Sequence, residues 1–257
     1  TDRSPAVIKS YGGRIHPRLR TRNGGHAAAF NTGFSVSKGN IVFFLDADDY
    51  LYPDAVSRVV NAWRPSTAQL QYRLHLVDEQ ERVKDVYPPP ERPFDTGDVT
   101  PKLLHRGRYQ TTVTSGLAFS RSALEPIMPI PEEEFRQGAD GYLSTLAPLR
   151  GDVQALDHAL GAYRIHGSNH SVFDGKLAKR ARWRIEHDLH RLAALSTETK
   201  TIGLELQDNP ALRDPFHLEE RLASLCFDEA MHPMPRDSRL GLATAGCAEK
   251  IDSGSGN

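Results

Sequence analysis

Three carboxylates stand together directly after a short apolar run in this 257-residue chain. Asp46, Asp48 and Asp49 follow residues 41–45, which read Ile-Val-Phe-Phe-Leu. A continuous apolar run of this length after a helix predicts a strand that is buried in a parallel sheet. Ligands bind beyond the carboxyl ends of such strands, and adjacent acids repel one another unless a cation or hydrogen bonds offset their charge. The segment therefore predicts a site for a divalent cation and for the groups around that ion.

The three acids are not equivalent. Alternation along an extended segment places Asp46 and Asp48 on the same side, where the pair suits a hard divalent ion. Asp49 lies four residues before Pro53, at which a helix is predicted to begin. We interpret Asp49 as a cap of that helix, and for the other two acids we favour metal and ligand binding over a plain turn.

The segments around these acids alternate between helix and strand. Helices are predicted to start at Pro5 and Pro53 and to cover 24–38, 140–149, 176 to about 195, and 216–228. Strands are predicted at 69–77, which alternation indicates is half-buried, at 111–119, and at 153–156 and 159–165 around an Asp157-His158 turn. This order predicts an α/β fold with a parallel sheet.

Composition narrows the class of protein. Lys and Arg number 32 against 33 Asp and Glu, a formal net charge of -1, which excludes a strongly basic nucleic-acid binder and a charge-driven disordered chain. The two cysteines, Cys226 and Cys247, cannot build a disulfide framework or a four-cysteine zinc site. Apolar runs are far shorter than a membrane span. These features predict a globular, cytoplasmic protein.

Two basic segments each allow two interpretations. Residues 1–22 carry six Arg or Lys side chains and only one acid, Asp2, a net charge of +5. They form either an ordinary solvated surface or a positive rim beside an anionic ligand. The Arg-rich helix that starts near residue 176 either contacts an anionic membrane surface peripherally or, because Glu186 and Asp188 dilute its charge, faces solvent or protein.

Four segments, in this order and at this spacing, resemble glycosyltransferase family 2. They are 23–33 (Asn-Gly-Gly-His-Ala-Ala-Ala-Phe-Asn-Thr-Gly), 38–49 with Asp-Ala-Asp-Asp at its end, 115–119 (Ser-Gly-Leu-Ala-Phe), and 161–171 (Gly-Ala-Tyr-Arg-Ile-His-Gly-Ser-Asn-His-Ser). They are similar to the family's asparagine-glycine helix, its Asp-x-Asp segment, its acceptor-side loop and its Tyr-Arg-x-His-x-x-Asn-x-Ser element. The resemblance covers about residues 1–172. An Asp-x-Asp alone is a weak signal, whereas the ordered set is specific.

The resemblance implies a metal-dependent, inverting enzyme of the GT-A fold, a Rossmann-like domain with a mixed, mainly parallel sheet flanked by helices. Such an enzyme moves a sugar from a nucleotide-diphosphate donor to a hydroxyl of a carbohydrate or lipid-linked acceptor, typically in cell-envelope or polysaccharide synthesis. By resemblance, Asp48 and His166 bind Mn²⁺ or Mg²⁺, Asp46 reaches the ribose or the metal shell, and Asn23 and Gly25 lie at the donor. A hydrogen-bonded turn histidine is the alternative for His166.

An inverting transfer also needs a base that takes the proton of the acceptor hydroxyl. Many members of the family carry an acidic pair where this chain has Ala139 and Asp140. The resemblance therefore carries the role of base to Asp140 alone. Because Asp140 opens a predicted helix, the alternative is a plain N-cap.

The resemblance also sets the expected domain organisation. It predicts a GT-A domain over residues 1–172, a helical segment over 173–250 and a flexible tail over 251–257. The opening Thr-Asp-Arg-Ser looks like the end of the family's Asp-Asp-Gly-Ser-Thr-Asp segment, so the first strand, first helix and second strand are expected upstream. Two other functions stay open: a non-catalytic GT-A fragment or regulatory module, and a metal-dependent phosphohydrolase that uses Asp46, Asp48 and His166.

Overall fold

A computed structural model describes residues 3–166 and 177–254, with side chains as far as Gly246. Its helices are α1 (Ser4–Ser10), α2 (Gly25–Val36), α3 (Ala55–Ala62), α4 (Thr100–Arg106), α5 (Arg121–Leu124), α6 (Ala139–Leu146), α7 (Leu177–Thr201), α8 (Pro215–Phe227) and α9 (Arg239–Gly254). Its strands are β1 (Ile41–Phe43), β2 (Tyr50–Leu51), β3 (Thr67–Val77), β4 (Val83–Tyr87), β5 (Leu117–Ser120) and β6 (Asp152–Arg164). The helices predicted at 24–38, 140–149 and 216–228 are confirmed.

The described strands form one mixed sheet in the order β1-β5-β3-β6-β2, and β4 pairs with the end of β3. Only β3 and β6 run parallel; the other four pairings within this sheet are antiparallel. The predicted α/β fold with a mixed sheet is therefore confirmed, but the expected predominance of parallel pairing is corrected. Strand β1, for example, places Val42 opposite Phe119 in antiparallel register. An apolar run shows that a strand is buried, but it does not show which way its neighbour runs.

Strand β3 lies between β5 and β6 and is buried along most of its length, not half-buried as alternation predicted. One face carries Leu70 and Tyr72, which belong to a hydrophobic cluster with α3. The other face carries Gln69 and Gln71, which are also fully buried. The Gln69 amide nitrogen donates to the Tyr109 hydroxyl and the Gln71 amide nitrogen to the Asp95 carbonyl, at 2.7 and 2.8 Å, so both side-chain N–H groups are bonded to protein.

Strand β6 is one continuous element rather than two strands around a turn. Its register with β3 shifts between Leu156 and Ala159, so Asp157 and His158 form a bulge inside the strand. The Asp157 carboxylate pairs with the buried guanidinium of Arg73 on β3. The sequence resembles a turn at this point, but the strand continues through the bulge.

The helical C-terminal segment packs into the core of the α/β part. Leu195 of α7 is fully buried in the same cluster as Phe30 of α2, Phe119 of β5 and Leu143 of α6. Helix α9 continues to Gly254, four residues into the segment expected to be a flexible tail. None of the helices in the described part of the chain is both long and apolar enough to cross a membrane.

A buried charge network centred on Asp188 fixes α7 in place. Both carboxylate oxygens of Asp188 accept from Arg108 Nη2 at 2.7 Å, and Arg191 Nη2 lies 3.1 Å from the same carboxylate. Arg191 also donates to Thr145 Oγ1 of α6 at 2.6 Å, and Arg108 Nε donates to Asp214 at 2.5 Å. Burial alone would raise the pKa of Asp188, but the charges of Arg191 and Arg108 hold that pKa well below its usual range. The network ties α7 to α6 and to the segment after α4.

Candidate active site

A cleft of about 630 Å³ opens where the segment after β1 meets the N-terminal ends of α2 and α6. Five of the six predicted site residues line it: Asn23, Gly25, Asp46, Asp48 and Asp140. The sixth, His166, contacts Asp48: its Nε2 lies 2.9 Å from the Asp48 Oδ2. The structure thus brings all the predicted site residues to one place.

The contact between Asp48 and His166 depends on the pairing of β2 with β6. The N–H of Arg164 donates to Asp49 Oδ1 at 3.0 Å, and Arg164 Nε donates to the Asp48 carbonyl at 3.1 Å. These bonds hold the end of β6 against the acidic segment. The rest of the predicted Tyr-Arg-x-His-x-x-Asn-x-Ser element, from residue 167 onward, lies outside the described residues.

Asp49 does not cap a helix, which corrects the prediction made for it. The N-cap position of α3 is Asp54, and the Asp49 carboxylate instead binds the Arg164 backbone. Burial raises the pKa of Asp49 to about 6, opposed by hydrogen bonds from Ser115 and Arg164. Asp49 therefore links the acidic segment after β1 to the end of β6.

Asp48 and His166 are chemically suited to a divalent cation. Both side chains are partly exposed, at 42% and 24%, and their ligand atoms converge. No group of three His, Cys, Asp or Glu side chains within residues 3–166 and 177–246 could hold a metal ion alone. The pair therefore supplies two ligands of a site whose remaining ligands would come from outside the described residues, such as water. Mixed oxygen and imidazole ligation suits Mn²⁺ better than Mg²⁺.

His26, which was not predicted as a site residue, bridges two parts of the site. Its Nε2 lies 3.1 Å from Asp46 Oδ1, and its Nδ1 accepts from the N–H of Ala139 at 3.3 Å. Burial lowers the pKa of His26, but the bond to Asp46 and the charges of Asp140 and Asp46 outweigh burial, so the pKa is raised. The only signal in the sequence was its position beside Gly25, at the start of a predicted helix.

The backbone of Asp46 is held by Ser115. The Asp46 N–H donates to Ser115 Oγ at 3.2 Å, and the Tyr72 hydroxyl donates to the Ser115 carbonyl at 2.8 Å. Ser115 belongs to the 115–119 segment that was expected in an acceptor-side loop. In the structure Ser115 holds the backbone of the acidic segment, and Leu117–Ser120 form β5.

Asn23 and Gly25 build the turn from which α2 begins. The side-chain Oδ1 of Asn23 accepts from the Gly25 N–H at 2.9 Å. Gly25 has a φ of +81°, and a Cβ there would lie 2.3 Å from the Arg136 carbonyl oxygen, so only glycine fits. Arg136 donates back to the Asn23 carbonyl at 3.2 Å and lines the cleft. It adds a cation that the sequence analysis missed.

Asp140 lies in the first turn of α6, where the helix dipole favours a carboxylate. The N-cap is Gly138, so the alternative that Asp140 is a plain N-cap is wrong. His187 of α7 supports this turn, because its Nε2 lies 2.9 Å from the Gly138 carbonyl. The Trp183 indole stacks on the His187 ring at a centroid distance of 5.1 Å and also lines the cleft.

The sequence matches one family model and is similar to two glycosyltransferases. Residues 1–118 match the model of Glycosyl transferase family 2. An uncharacterized glycosyltransferase of Nostoc sp. (strain PCC 7120 / SAG 25.82 / UTEX 2576) is 33% identical over 177 residues, 67% of this chain and 55% of that protein. The poly(ribitol-phosphate) beta-N-acetylglucosaminyltransferase TarP of Staphylococcus aureus (strain N315) is 37% identical over 65 residues, 25% of this chain and 20% of that protein. The chain thus spans about half the length of the Nostoc relative.

A solved structure confirms the GT-A fold. The mannosyltransferase PcManGT from Pyrobaculum calidifontis, in complex with GDP-Man and Mn²⁺, superposes with a TM-score of 0.51. The alignment covers 98% of this chain and 68% of that chain at 15% identity. At that identity the likeness concerns the arrangement of helices and strands.

Proposed function

We propose that the cleft of this chain, whose residues 1–118 match the model of Glycosyl transferase family 2, transfers a sugar from a nucleotide-diphosphate donor to a hydroxyl acceptor with inversion. The observation that best supports this proposal is the single cleft in which the acidic segment after β1, the first turn of α2 and Asp140 meet. A donor and an acceptor must lie side by side for such a reaction. The acceptor class that we propose is a carbohydrate or lipid-linked hydroxyl.

The donor occupies the part of the cleft around the acidic segment. Asp48 and His166 would hold the divalent cation, Mn²⁺ or Mg²⁺, which when bound neutralises charge on the leaving diphosphate. Asp46 faces the ribose or the metal shell and is oriented by His26 and by Ser115. The Arg136 guanidinium lies on the same side, beside Asn23, and complements the anionic donor.

Asp140 acts on the acceptor. It accepts the proton of the acceptor hydroxyl as that oxygen attacks the anomeric carbon of the donor sugar. The bond between the anomeric carbon and the diphosphate oxygen breaks, and the nucleoside diphosphate leaves with that electron pair. One base and no protein nucleophile give inversion in a single displacement.

The donor site can be tested by ligand-induced stabilisation. A thermal-shift panel would use UDP, GDP and dTDP, each with and without Mn²⁺, because a ligand that binds only the native state raises stability. We expect one nucleotide to raise the Tm only when Mn²⁺ is present, and Asp48→Asn to abolish the rise. The matched control is Asp208→Asn, at an exposed site outside the cleft. A folded sample that responds to none of the nucleotides contradicts a donor site in this chain.

The reaction products separate the proposed function from its alternatives. A glycosyltransferase releases nucleoside diphosphate together with a glycosylated acceptor. A phosphohydrolase that uses Asp46, Asp48 and His166 would release phosphate and leave every acceptor unchanged, and a non-catalytic module would release neither. Chromatography of the products, with acceptor present and absent, decides among the three.

A further inference from the structure

One peptide group, formed by the C=O of Gly138 and the N–H of Ala139, leads directly into Asp140 and is bonded to a histidine at each end. The Gly138 carbonyl accepts from Nε2 of His187 at 2.9 Å, and the Ala139 N–H donates to Nδ1 of His26 at 3.3 Å. In a trans peptide the C=O and the N–H point in opposite directions, so the two imidazoles hold this group from opposite sides. We call the peptide group and its two histidines the histidine clamp.

We propose that the histidine clamp positions Asp140 for proton transfer, so that His26 and His187 are positioning residues for the reaction. The inference rests on the proposed function, because it takes Asp140 as the base for the acceptor hydroxyl. A base has to lie within hydrogen-bond reach of the proton that it removes, and a displacement of about 1 Å can lower a rate about a hundredfold. The orientation of the clamped peptide sets the direction of the first turn of α6, and therefore the place of Asp140.

The start of α6 depends on a distant residue for its cap. The first N–H groups of a helix have no partners within the helix, and a side chain at the N-cap usually satisfies one of them. The N-cap of α6 is Gly138, which has no side chain. His26 supplies an acceptor from 113 positions away, and its own backbone N–H donates to the Arg136 carbonyl at 2.7 Å. His26 thus ties α2 to the start of α6 by both its side chain and its backbone.

The hydrogen bonds of the clamp determine which ring nitrogens carry a proton. A backbone N–H can only donate, so Nδ1 of His26 is unprotonated and the ring proton is on Nε2, which lies 3.1 Å from Asp46 Oδ1. A carbonyl can only accept, so Nε2 of His187 carries a proton. Burial lowers the pKa of His187, which keeps this ring uncharged at neutral pH. In the clamp, both rings therefore act in the neutral form that is protonated on Nε2.

Glycines allow His187 to come this close to the peptide. A Cβ at Gly138, where φ is +72°, would lie 2.5 Å from Nε2 of His187. A Cβ at Gly141 would lie 2.4 Å from Cε1 of the same ring. On another side Phe135 packs against the imidazole at a centroid distance of 5.8 Å and an interplanar angle of 85°. Packing that holds the supporting side chain in one orientation is what a positioning role requires.

Amide hydrogen exchange tests the clamp without turnover. We expect the Ala139 N–H to exchange about tenfold faster in His26→Leu, which fills space but accepts no hydrogen bond. His26→Asn places an oxygen near the position of Nδ1 and should restore the slow exchange. The control is His16→Leu, at an exposed site outside the cleft. In the unsubstituted protein, ¹⁵N resonances of both rings should show the proton on Nε2. Unchanged exchange in His26→Leu, or a proton on Nδ1 of His26, overturns the clamp.

Kinetics test its effect on the reaction. His187→Leu should lower kcat about 10- to 100-fold and leave the KM for the donor unchanged, because His187 is not among the described residues that line the cleft. His187→Gln, whose amide N–H can reach the Gly138 carbonyl, should recover most of this kcat. Since both histidines act on one peptide, adding His26→Leu to His187→Leu should cost less than the product of the two separate effects.

The outcomes keep this inference distinct from the proposed function. Wild-type kcat in both leucine variants, or a loss in His187→Leu that His187→Gln does not recover, overturns the positioning role. In either case the Mn²⁺-dependent nucleotide thermal shift would persist, and the donor site would stand. A folded protein that shows neither this shift nor sugar transfer overturns the proposed function, and the positioning role with it.

Discussion

Asp48 and His166 are separated by 118 positions in the chain, yet the Oδ2 of one lies 2.9 Å from the Nε2 of the other. They meet because β2 begins directly after Asp49 and pairs with β6, with Tyr50 opposite Ala162. The short strand thus carries the acidic segment to the end of β6. The pairing of two strands, rather than any local motif, assembles the proposed metal site.

Replacement of Asp48 by Asn should abolish Mn²⁺-dependent nucleotide binding and lower sugar transfer by about a hundredfold or more, because a bound metal contributes several kcal/mol of charge stabilisation. Initial rates of nucleoside diphosphate release would measure the effect. Asp208→Asn, exposed and outside the cleft, should behave like the wild type. Undiminished transfer by the Asp48 variant would remove this carboxylate from the mechanism.

Replacement of Asp140 by Asn keeps the size of the side chain but removes the base. We expect transfer to fall about 10²- to 10⁴-fold, the usual contribution of general base catalysis. The Mn²⁺-dependent thermal shift with the nucleotide should persist, since Asp140 faces the acceptor side. Loss of both signals together would instead indicate that Asp140 helps to hold the donor.

Substitution of Gly141 by Ala should destabilise the protein. Within a helix, replacement of Gly by Ala usually stabilises the folded state by about 1 kcal/mol, so the expected effect has the opposite sign. A Cβ at Gly141 would lie 2.4 Å from Cε1 of His187. Overpacking of this kind costs about 1–3 kcal/mol, measurable by urea unfolding. In a chain that already carries His187→Ala the clash is absent, so Gly141→Ala should lower the free energy of unfolding by less than it does in the wild type. A Gly141→Ala variant that is more stable than the wild type would contradict the packing of α7 on α6.

Stability should fall in acid through Asp188. Its pKa is lowered in the folded state, so its contribution is full above the unfolded pKa of about 3.9 and is lost as pH falls toward the folded value. Asp188→Asn should cost about 3–5 kcal/mol at pH 7, because buried Arg191 loses its carboxylate partner and Arg108 keeps only Asp214. Urea unfolding between pH 7 and pH 3 should show a flatter pH dependence in the variant. An exposed control, Asp85→Asn, should retain the wild-type profile.

The elements and acids that can be predicted from sequence are those that local pattern defines. The sequence predicted the positions of α2, α6 and α8, and an apolar run that ends in acids located Asp46 and Asp48. Asp140 came from family resemblance, and the structure places it in the same cleft. For the helices and for Asp46 and Asp48 the signal lies within about a dozen neighbouring residues, whereas Asp140 needed the ordered set of family segments.

The features that escaped prediction depend on partners far away in the chain. His26 bonds to the backbone of Ala139, and Arg136 to the backbone of Asn23, each across 113 positions. Gln69 alternates with apolar residues as an exposed side chain would, yet it is buried and its amide nitrogen donates to the Tyr109 hydroxyl. Alternation reports polarity, and only the fold determines whether water or protein meets the polar group.

Helix α7 carries both the anchor of the fold and part of the wall of the cleft. Asp188 neutralises Arg108 and Arg191, and Trp183 lies five positions before it on the same helix. Loss of this acid would leave Arg191 buried without a counter-charge and Arg108 with Asp214 alone. The wall of the cleft at Trp183 can therefore change by single exchanges, but not by replacement of the whole helix.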